Sequence, residues 1–339
     1  MAVGGWGRLC CSSLAIAASF IGEIVLADST FTDGNVGQGP LTIPSLSPGH
    51  LFRPNTSMAA PSYAPKGSWV SFTSLTWGNV WNVDEDHYRI DGEWLLLTTK
   101  ASYVLRDELE VGLCIPAMGR TGGFGDSLIE GFHDLFGLSN AGREGYPHDK
   151  MVVEVDTPDG KKVFYEGNEW GLGDISLFGS WIVTQGGTFL PCTVIEAGIT
   201  LPTGDEDKLL GIGEPVWGMA VLMTKRIGSS RWLVTVGASG SYCNRDRMFG
   251  IEVNQEQFAL LSGLEYEWSP RLSLIAQELM SSPFAKDFHD LSEPTNELNV
   301  GMKFRIGELG AMEISVQEDL FNFNNSADFG FHIGYRQIF

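Results

Sequence analysis

Four residues in one stretch of the chain are of types that could do chemistry. Glu130, His133 and Asp134 follow one another closely, and Arg143 comes shortly after them. An imidazole and carboxylates that converge on one face of a helix could bind a divalent metal or transfer a proton. The spacing does not place a histidine and a pair of carboxylates on one face, and we expect the arginine to offset the acids. We therefore expect no catalytic residue, no metal site and no cofactor.

A membrane-embedded hydrolase would need a different set of residues. It requires a serine and a histidine, assisted by Asn, Asp or Glu, on the lipid-facing surface. Among the six histidines only His332 lies on a clearly predicted strand, and its alternation with Phe331 and Ile333 turns it inward. The others fall in predicted loops or in the N-terminal segment: His50, His87, His133, His148 and His289. No G-x-S-x-G motif occurs. The sequence favours a protein without enzymatic activity and leaves an outer-membrane lipid hydrolase as an alternative.

Strands must position these residues, because apolar and polar side chains alternate with a period of two from about residue 68 to the end. Each alternating segment can cross an apolar band about 25 Å tall when it is tilted. The predicted strands are 68–83, 92–104, 108–117, 170–184, 188–201, 215–227, 231–243, 256–268, 272–282, 297–306, 311–322 and 327–339. The predicted fold class is all-β: an antiparallel transmembrane β-barrel of about twelve strands, with one short helix in a long external loop.

The connections between the predicted strands alternate in length. Tight turns such as Arg106-Asp107 are followed by long polar segments such as 118–169. Transmembrane barrels place turns on the periplasmic side and loops outside, whereas Greek-key sandwiches mix the two. Aromatic residues near the strand ends fit the girdles at the two membrane interfaces: Trp69, Trp81, Tyr103, Trp170, Phe189, Trp232, Tyr242, Trp268, Tyr335 and Phe339. A soluble periplasmic β-protein with a ligand cavity remains an alternative.

The composition and the N-terminus define the domains and the partners. A formal charge of −20, from 22 basic and 42 acidic residues, argues against a nucleic-acid partner. Residues 1–27 read as a secretory signal peptide, residues 28–65 as a segment rich in Pro, Gly and Ser that could plug the barrel, and residues 66–339 as the barrel. Three cysteines follow the signal, Cys114, Cys192 and Cys243, so one disulfide bond between two of them remains possible.

The long loop contains one amphipathic segment, from Asp126 to about Leu138, in which Asp126 could cap the helix and Gly137 could end it. Its apolar face is formed by Leu128, Ile129, Phe132, Leu135 and Phe136. This helix could be a lid or plug that grips apolar solutes at the barrel mouth. It could equally be a structural helix that packs its apolar face into the barrel.

Charged residues on the inward side of the strands define the predicted lumen. Strand parity turns these residues inward: Glu110, Asp174, Glu196, Glu265, Lys303, Arg305, His332 and Arg336. Because both positive and negative residues occur among them, we expect ion pairs inside the barrel and not a selectivity ring of one charge sign. Because about twelve strands enclose a narrow lumen, we do not expect a wide pore. The predicted role is passive passage or binding of a small hydrophobic or amphipathic molecule.

Several stretches resemble known bacterial barrels. GGFGDSLIEGFHDLFGLSNAGRE, GLGDISLFG and AGITLPTGD resemble an uncharacterised family of exported proteins in the outer-membrane β-barrel superfamily, over residues 66–339. The second and third are also similar to motifs of the barrel family named for phenol-degradation operons. The last strand resembles the C-terminal targeting strand of such barrels, through His332, Gly334, Tyr335 and Phe339, whereas Gln337 departs from it. The resemblance implies the bacterial outer membrane, with membrane lipid and the barrel-assembly machinery as partners.

Overall fold

Alternating side chains form strands along most of the chain. The computed structural model describes residues 37–84, 86–136, 142–319 and 325–339. These ranges contain two α-helices, α1 (Pro48–Phe52) and α2 (Asp126–Phe136). Their strands are β1 (Trp69–Asp84), β2 (Tyr88–Arg106), β3 (Leu109–Thr121), β4 (Val152–Asp156), β5 (Lys162–Glu166), β6 (Glu169–Leu172), β7 (Ile175–Gln185), β8 (Cys192–Leu201), β9 (Val216–Arg226), β10 (Trp232–Cys243), β11 (Arg247–Met248), β12 (Ile251–Glu252), β13 (Glu256–Ser269), β14 (Leu272–Ser281), β15 (Thr295–Ile306), β16 (Gly310–Glu318) and β17 (Phe329–Ile338).

Twelve of these strands close into an antiparallel barrel, in the order β1-β2-β3-β7-β8-β9-β10-β13-β14-β15-β16-β17. The last strand returns to the first, in a register that runs from Val70 opposite Ile338 to Asn79 opposite Phe329. The main chain of Phe339 continues this ladder, because its N–H donates to Trp69 O (2.8 Å) and its carbonyl accepts from Trp69 N (3.2 Å). The closed all-β barrel predicted from the alternation is confirmed.

The outer surface of the wall is apolar. Large aliphatic side chains from neighbouring strands are exposed along it, including Leu75, Leu97, Val111, Leu113, Ile115, Leu177 and Leu264. Aromatic pairs lie at the strand ends, with ring centroids 5.1 Å apart in Trp69–Tyr103 and 4.6 Å apart in Trp232–Tyr266. Soluble proteins do not expose a continuous apolar band of this extent, whereas a bilayer covers it. The soluble alternative is therefore wrong, and the barrel spans a membrane.

Some predicted details differ from the structure. Trp81 was expected in an aromatic girdle, yet it is buried against Tyr146 of the long connection, with ring centroids 5.0 Å apart. The predicted strand 170–184 is divided into β6 and β7 at Gly173, whose N–H donates to Pro116 O (2.8 Å). The cysteines in the described ranges are free, so the disulfide bond that the sequence allows is not formed there.

The long connections contain short strands that the sequence pattern does not predict. The hairpin of β4 and β5 extends the wall by pairing with the start of β2, from Tyr88 opposite Val155 to Asp91 opposite Val152. A second small hairpin, β11 and β12, lies between β10 and β13. The predicted signal peptide and Gly137 lie outside the described residues, as does part of the predicted strand 311–322. Within the described residues, no helix combines the length and the apolar character needed to cross a bilayer.

Two clusters of buried apolar residues, larger than the others, join the N-terminal segment to the wall. The outer-mouth cluster joins α1 to the outer ends of β1 and β2, to β4 and to the long connections: Leu46, Leu51, Phe52, Val80, Tyr88, Ile90, Trp94, Leu96, Met151, Val153, Val155, Leu209, Met248, Ile251, Val253, Phe284, Ala285, Phe288, Leu291 and Ala327. A second cluster packs Met58 of the N-terminal segment against the wall from β7 to β14. Both clusters contain residues that precede β1, so the N-terminal segment lies inside the barrel.

Candidate functional site

Residues 37–66 form a hairpin inside the lumen, referred to below as the N-terminal hairpin. It starts at the end with short turns, where a Cβ on Gly37 would lie 2.9 Å from Ala311 Cβ. It reaches the opposite end at Arg53, whose guanidinium donates to the carbonyls of Asn254 (2.5 Å) and Gln255 (2.6 Å). It then returns, and Lys66 N donates to Asp107 Oδ1 (2.8 Å) in the tight turn after β2. The hairpin thus runs along most of the lumen twice.

Side chains of the wall hold the ascending half of this hairpin. That half is not a strand, so its backbone N–H groups need other acceptors. Carboxylate and amide oxygens from four wall strands provide them: Glu265 for Gly39 N (2.8 Å), Gln277 for Leu41 N (2.7 Å), Glu313 for Thr42 N (2.8 Å) and Glu297 for Leu46 N (2.7 Å). The inward polar residues of the barrel therefore fix the position of the hairpin.

A buried charge network surrounds Glu313. Its Oε2 lies 3.2 Å from Lys303 Nζ, and its Oε1 lies 3.1 Å from His332 Nε2. Lys303 also donates to the carbonyl of Pro40 (2.6 Å), and His332 Nδ1 lies 2.7 Å from Thr76 Oγ1. Opposite charges and hydrogen bonds together make the burial of these groups tolerable. The network connects β15, β16 and β17 to the hairpin.

The structure places the other residues predicted to face the lumen at different points of the interior. Glu110 accepts from Ser62 Oγ (2.8 Å), and Arg336 donates to the carbonyls of Ala60 (3.1 Å) and Pro61 (3.3 Å). Both contacts are with the descending half of the hairpin. Glu265 accepts from the main chain of Gly39. Glu196 and Asp174 line a cavity between the hairpin and the wall. Arg305 is half-buried near the end of β15 and does not line this cavity.

Two glycines of the wall make room for the hairpin. Gly78 of β1 and Gly330 of β17 are opposite each other in the ladder. A Cβ would lie 2.8 Å from Leu46 Cδ1 if placed on Gly78, and 2.6 Å if placed on Gly330. Such distances are too short for carbon atoms, so any larger side chain would displace Leu46. The glycine pair forms a slot that Leu46 fills.

A cavity of about 230 Å³ lies between the hairpin and the wall formed by β1–β3 and β7–β9. Most of its lining is apolar, with Leu51, Met58, Phe72, Leu96, Met118 and Val216 among the contributors. A few polar groups interrupt this lining. Lys100 Nζ donates to Ser57 Oγ of the hairpin (2.8 Å), and Glu196 and Asp174 lie at other points of the wall. Strand parity predicts the polar residues but not the cavity, because the hairpin forms one side of it.

The start of α2 lies on the outer side of the wall and not across the mouth. Asn79 and Glu93 are paired between β1 and β2 and face outward, since the adjacent Gly78 faces Leu46 inside. Glu93 Oε1 accepts from Phe124 N (2.9 Å) and Gly125 N (2.6 Å), just before the helix. Ile129 is buried, and the side chains of the other four lid candidates lie outside the described part: Leu128, Phe132, Leu135 and Phe136. The lid was one of two alternatives for this helix, and it stays a prediction.

Asp126, the predicted cap of α2, is the first residue of this helix. Its carboxylate accepts from Asn79 Nδ2 (3.1 Å), from Arg143 (3.2 Å) and from Asp149 N (2.7 Å). Arg143 also donates to Asp328, ahead of β17. These bonds attach the long connection to the outer rim because they join three separate parts of the chain.

One serine, histidine and glutamate come together on the long connection. His148 Nδ1 lies 3.4 Å from Ser127 Oγ, and His148 Nε2 lies 2.9 Å from Glu130 Oε1. Ser127 and Glu130 are three residues apart on α2, and the histidine approaches from the following segment. A base between a hydroxyl and a carboxylate is the arrangement of a serine nucleophile. The sequence does not predict this contact, because the position of His148 in a loop does not indicate which residues it meets in the folded protein.

Comparison with known proteins extends these observations. The fold matches the outer membrane channel from Pseudomonas putida F1 with a TM-score of 0.56, at 12% identity over 83% of this chain and 100% of that one. The Pseudomonas putida toluene transporter TodX matches at 8% identity over 93% of this chain and 98% of that one, with a TM-score of 0.35, too low for a structural argument. No curated protein matches the sequence.

The first of these matches shows the fold of an outer-membrane channel, and its structure is covered completely. The apolar band and the alternation of short turns with long connections agree with that environment. This protein is an outer-membrane β-barrel. Over residues 16–339 its sequence matches the model of the DUF3187 family, described as proteins of unknown function, and the chain therefore belongs to that family.

Proposed function

We propose that this barrel binds small apolar or amphipathic molecules and allows them to pass the outer membrane, without catalysis in the lumen. The cavity of about 230 Å³ between the N-terminal hairpin and the wall carries this proposal. A cavity of about 150 Å³ lined by aliphatic side chains is enough to bind benzene. One single-ring molecule therefore fits the space that the hairpin leaves. Lys100, Glu196 and Asp174 would orient a ligand that also has a polar group.

The N-terminal hairpin acts as the plug in this proposal. Together with the outer-mouth cluster it fills much of the lumen that the described residues enclose, and a wide aqueous path beside it is not expected. A bound molecule would leave the cavity when the hairpin shifts from the wall. The outward apolar band contacts membrane lipid, and the closing strand β17 is the segment that the barrel-assembly machinery would recognise.

Binding of fluorobenzene to the purified protein, followed by fluorine NMR in detergent, tests the proposal. Thr98 lines the cavity, and its substitution Thr98→Trp fills the space, so binding should be lost. Thr99→Trp is the matched control, because the next residue of β2 lies on the opposite face of the wall. The control should bind like the unchanged protein. Equal binding by both variants, or none by the unchanged protein, would contradict a ligand site in this cavity.

A lipid hydrolase is the second candidate function, favoured by the contact of His148 with Ser127 and Glu130. Its site would lie on the outer side of the wall, where lipid headgroups are accessible. A fluorophosphonate probe should then label the protein covalently, and Ser127→Ala should abolish the label while Ser127→Cys retains reactivity toward thiol reagents. Absence of labelling in the folded protein rejects this candidate and leaves the cavity proposal unaffected.

A further inference from the structure

Three side chains with metal-binding atoms meet at the outer rim of the barrel. Asp84 ends β1, His87 precedes β2, and His289 belongs to the connection between β14 and β15. Asp84 Oδ1 lies 2.8 Å from His87 Nδ1, and Asp84 Oδ2 lies 3.1 Å from His289 Nδ1. The two imidazole rings are stacked, with centroids 3.6 Å apart. One carboxylate thus faces two histidines that come from distant parts of the chain.

These donors match the ligands of a transition metal. One ligand atom from each residue lies within 4.8 Å of the others, a separation that a single ion can bridge. Two imidazole nitrogens and one carboxylate oxygen are a donor set that Zn²⁺ takes in proteins, with a fourth position left for water. The hard ions Ca²⁺ and Mg²⁺ prefer sets made of oxygen alone. The side chains are 28%, 41% and 35% exposed, so an ion can reach them from the outside.

The chain holds His289 in place by more than these contacts. His289 has a φ of +46°, a left-handed conformation that is rare and unfavourable outside glycine. Phe288, beside it, belongs to the outer-mouth cluster and packs edge-on against the His289 ring, with centroids 5.2 Å apart. The main chain closes the connection through Ala285 N and Leu291 O (2.9 Å). The backbone is therefore fixed in a strained form that points this imidazole at Asp84.

The surrounding charge favours a cation. Asp290 and Glu293 follow His289 in the same connection, and the protein as a whole carries a formal charge of −20. We infer that Asp84, His87 and His289 form a binding site for a divalent transition metal such as Zn²⁺, which fastens the β14–β15 connection to the β1–β2 connection above the outer-mouth cluster. The inference stands apart from the proposed ligand cavity, since no residue of the site lines it.

Titration of Zn²⁺ tests this inference on the full-length protein in detergent, after treatment with EDTA and against a chromogenic chelator. We expect one Zn²⁺ per chain and a loss of affinity of at least about tenfold in each of Asp84→Asn, His87→Gln and His289→Gln. His148→Gln is the matched control, because His148 is a similarly exposed histidine that contacts a carboxylate elsewhere on the outer connections. Its affinity should equal that of the unchanged protein.

Limited proteolysis tests whether the bound ion holds the β14–β15 connection in place. Zn²⁺ should slow proteolysis within residues 282–294 of the unchanged protein and of His148→Gln, but not of the double variant His87→Gln with His289→Gln. Migration on gels before and after heating shows that each variant is folded. Two results would overturn the inference: equal Zn²⁺ affinity in the unchanged protein and the double variant, or Ca²⁺ binding as tight as Zn²⁺ binding.

Discussion

Single buried side chains connect the wall of the barrel to the N-terminal hairpin. Glu313 contacts Lys303, His332 and the main chain of Thr42, so one carboxylate joins three wall strands to the N-terminal hairpin. Removing such a partner would leave a buried charge without compensation, which is costly. Strand parity predicted that Lys303 and His332 face inward, but not that they share Glu313, because the partner depends on the register between strands.

His50 of α1 provides a pH-dependent prediction. Burial lowers the pKa of His50 from 6.5 to about 4. Between these two values the unfolded chain binds the proton and the folded protein does not, so stability falls as the pH drops through this window. We expect His50 to contribute a loss of about 2 kcal/mol in the free energy of unfolding between pH 7.5 and 5.

Urea unfolding in detergent at both pH values measures this effect. His50→Gln should lose less stability between pH 7.5 and 5 than the unchanged protein, because glutamine does not titrate. Other groups titrate in both proteins, so their contributions cancel in the comparison. The same pH dependence in both proteins would show that His50 is not held in its neutral form.

At the scale of elements, the N-terminal hairpin packs against the wall where Leu46 fits over Gly78 and Gly330. Gly78→Val would place a side chain where Leu46 lies, and overpacking of this kind costs about 1–3 kcal/mol. We expect the hairpin to shift and the ion conductance of the barrel in planar bilayers to rise. Adding Leu46→Ala should return the conductance toward its original value, because it restores the space.

Thr73→Val controls for the new side chain, since Thr73 is an exposed residue of the same strand that faces outward. It should leave the conductance unchanged. If Gly78→Val conducts like the unchanged protein while its gel migration stays normal, the hairpin does not limit conduction. Deletion of residues 37–65 would then be expected to have no effect either, which extends the comparison to the whole segment.

The sequence pattern predicts the barrel strands, which all share one alternation of side chains, but not the elements that lack this alternation. Alternation located each barrel strand, because a wall between lipid and lumen forces a period of two on every strand. The short hairpin of β4 and β5 carries little of this pattern, so the sequence predicts a loop there. The apolar face of α2 indicated a helix but not the surface that covers it. The contact of Asp84 with His289 depends on the ring of strands bringing distant connections together, which local spacing does not encode.

At the scale of the whole molecule, closure depends on the last residues of the chain. Ile338 pairs with Val70, and Phe339 exchanges two main-chain hydrogen bonds with Trp69. Removing both residues shortens the β1–β17 seam and deletes the terminal aromatic residue. We expect a much smaller fraction of the truncated protein to reach the outer membrane as a folded barrel.

The folded fraction is measured by gel migration of outer-membrane preparations before and after heating. Phe339→Tyr is the matched control, because it keeps the main chain and an aromatic ring, and it should assemble normally. If the truncated protein gives as much heat-modifiable band as the control, the seam near Trp69 is not needed for closure.

The path of the N-terminal hairpin has a mechanical consequence. Both ends of its described part lie on the same side of the barrel, near Ala311 and Asp107, and the second end continues directly into β1. A pull on the first end would load the hydrogen bonds to Glu265, Gln277, Glu313 and Glu297 one after another. Extraction would therefore proceed as peeling, at the low force needed to break one bond at a time. The wall would stay intact, since none of these bonds belongs to its ladder.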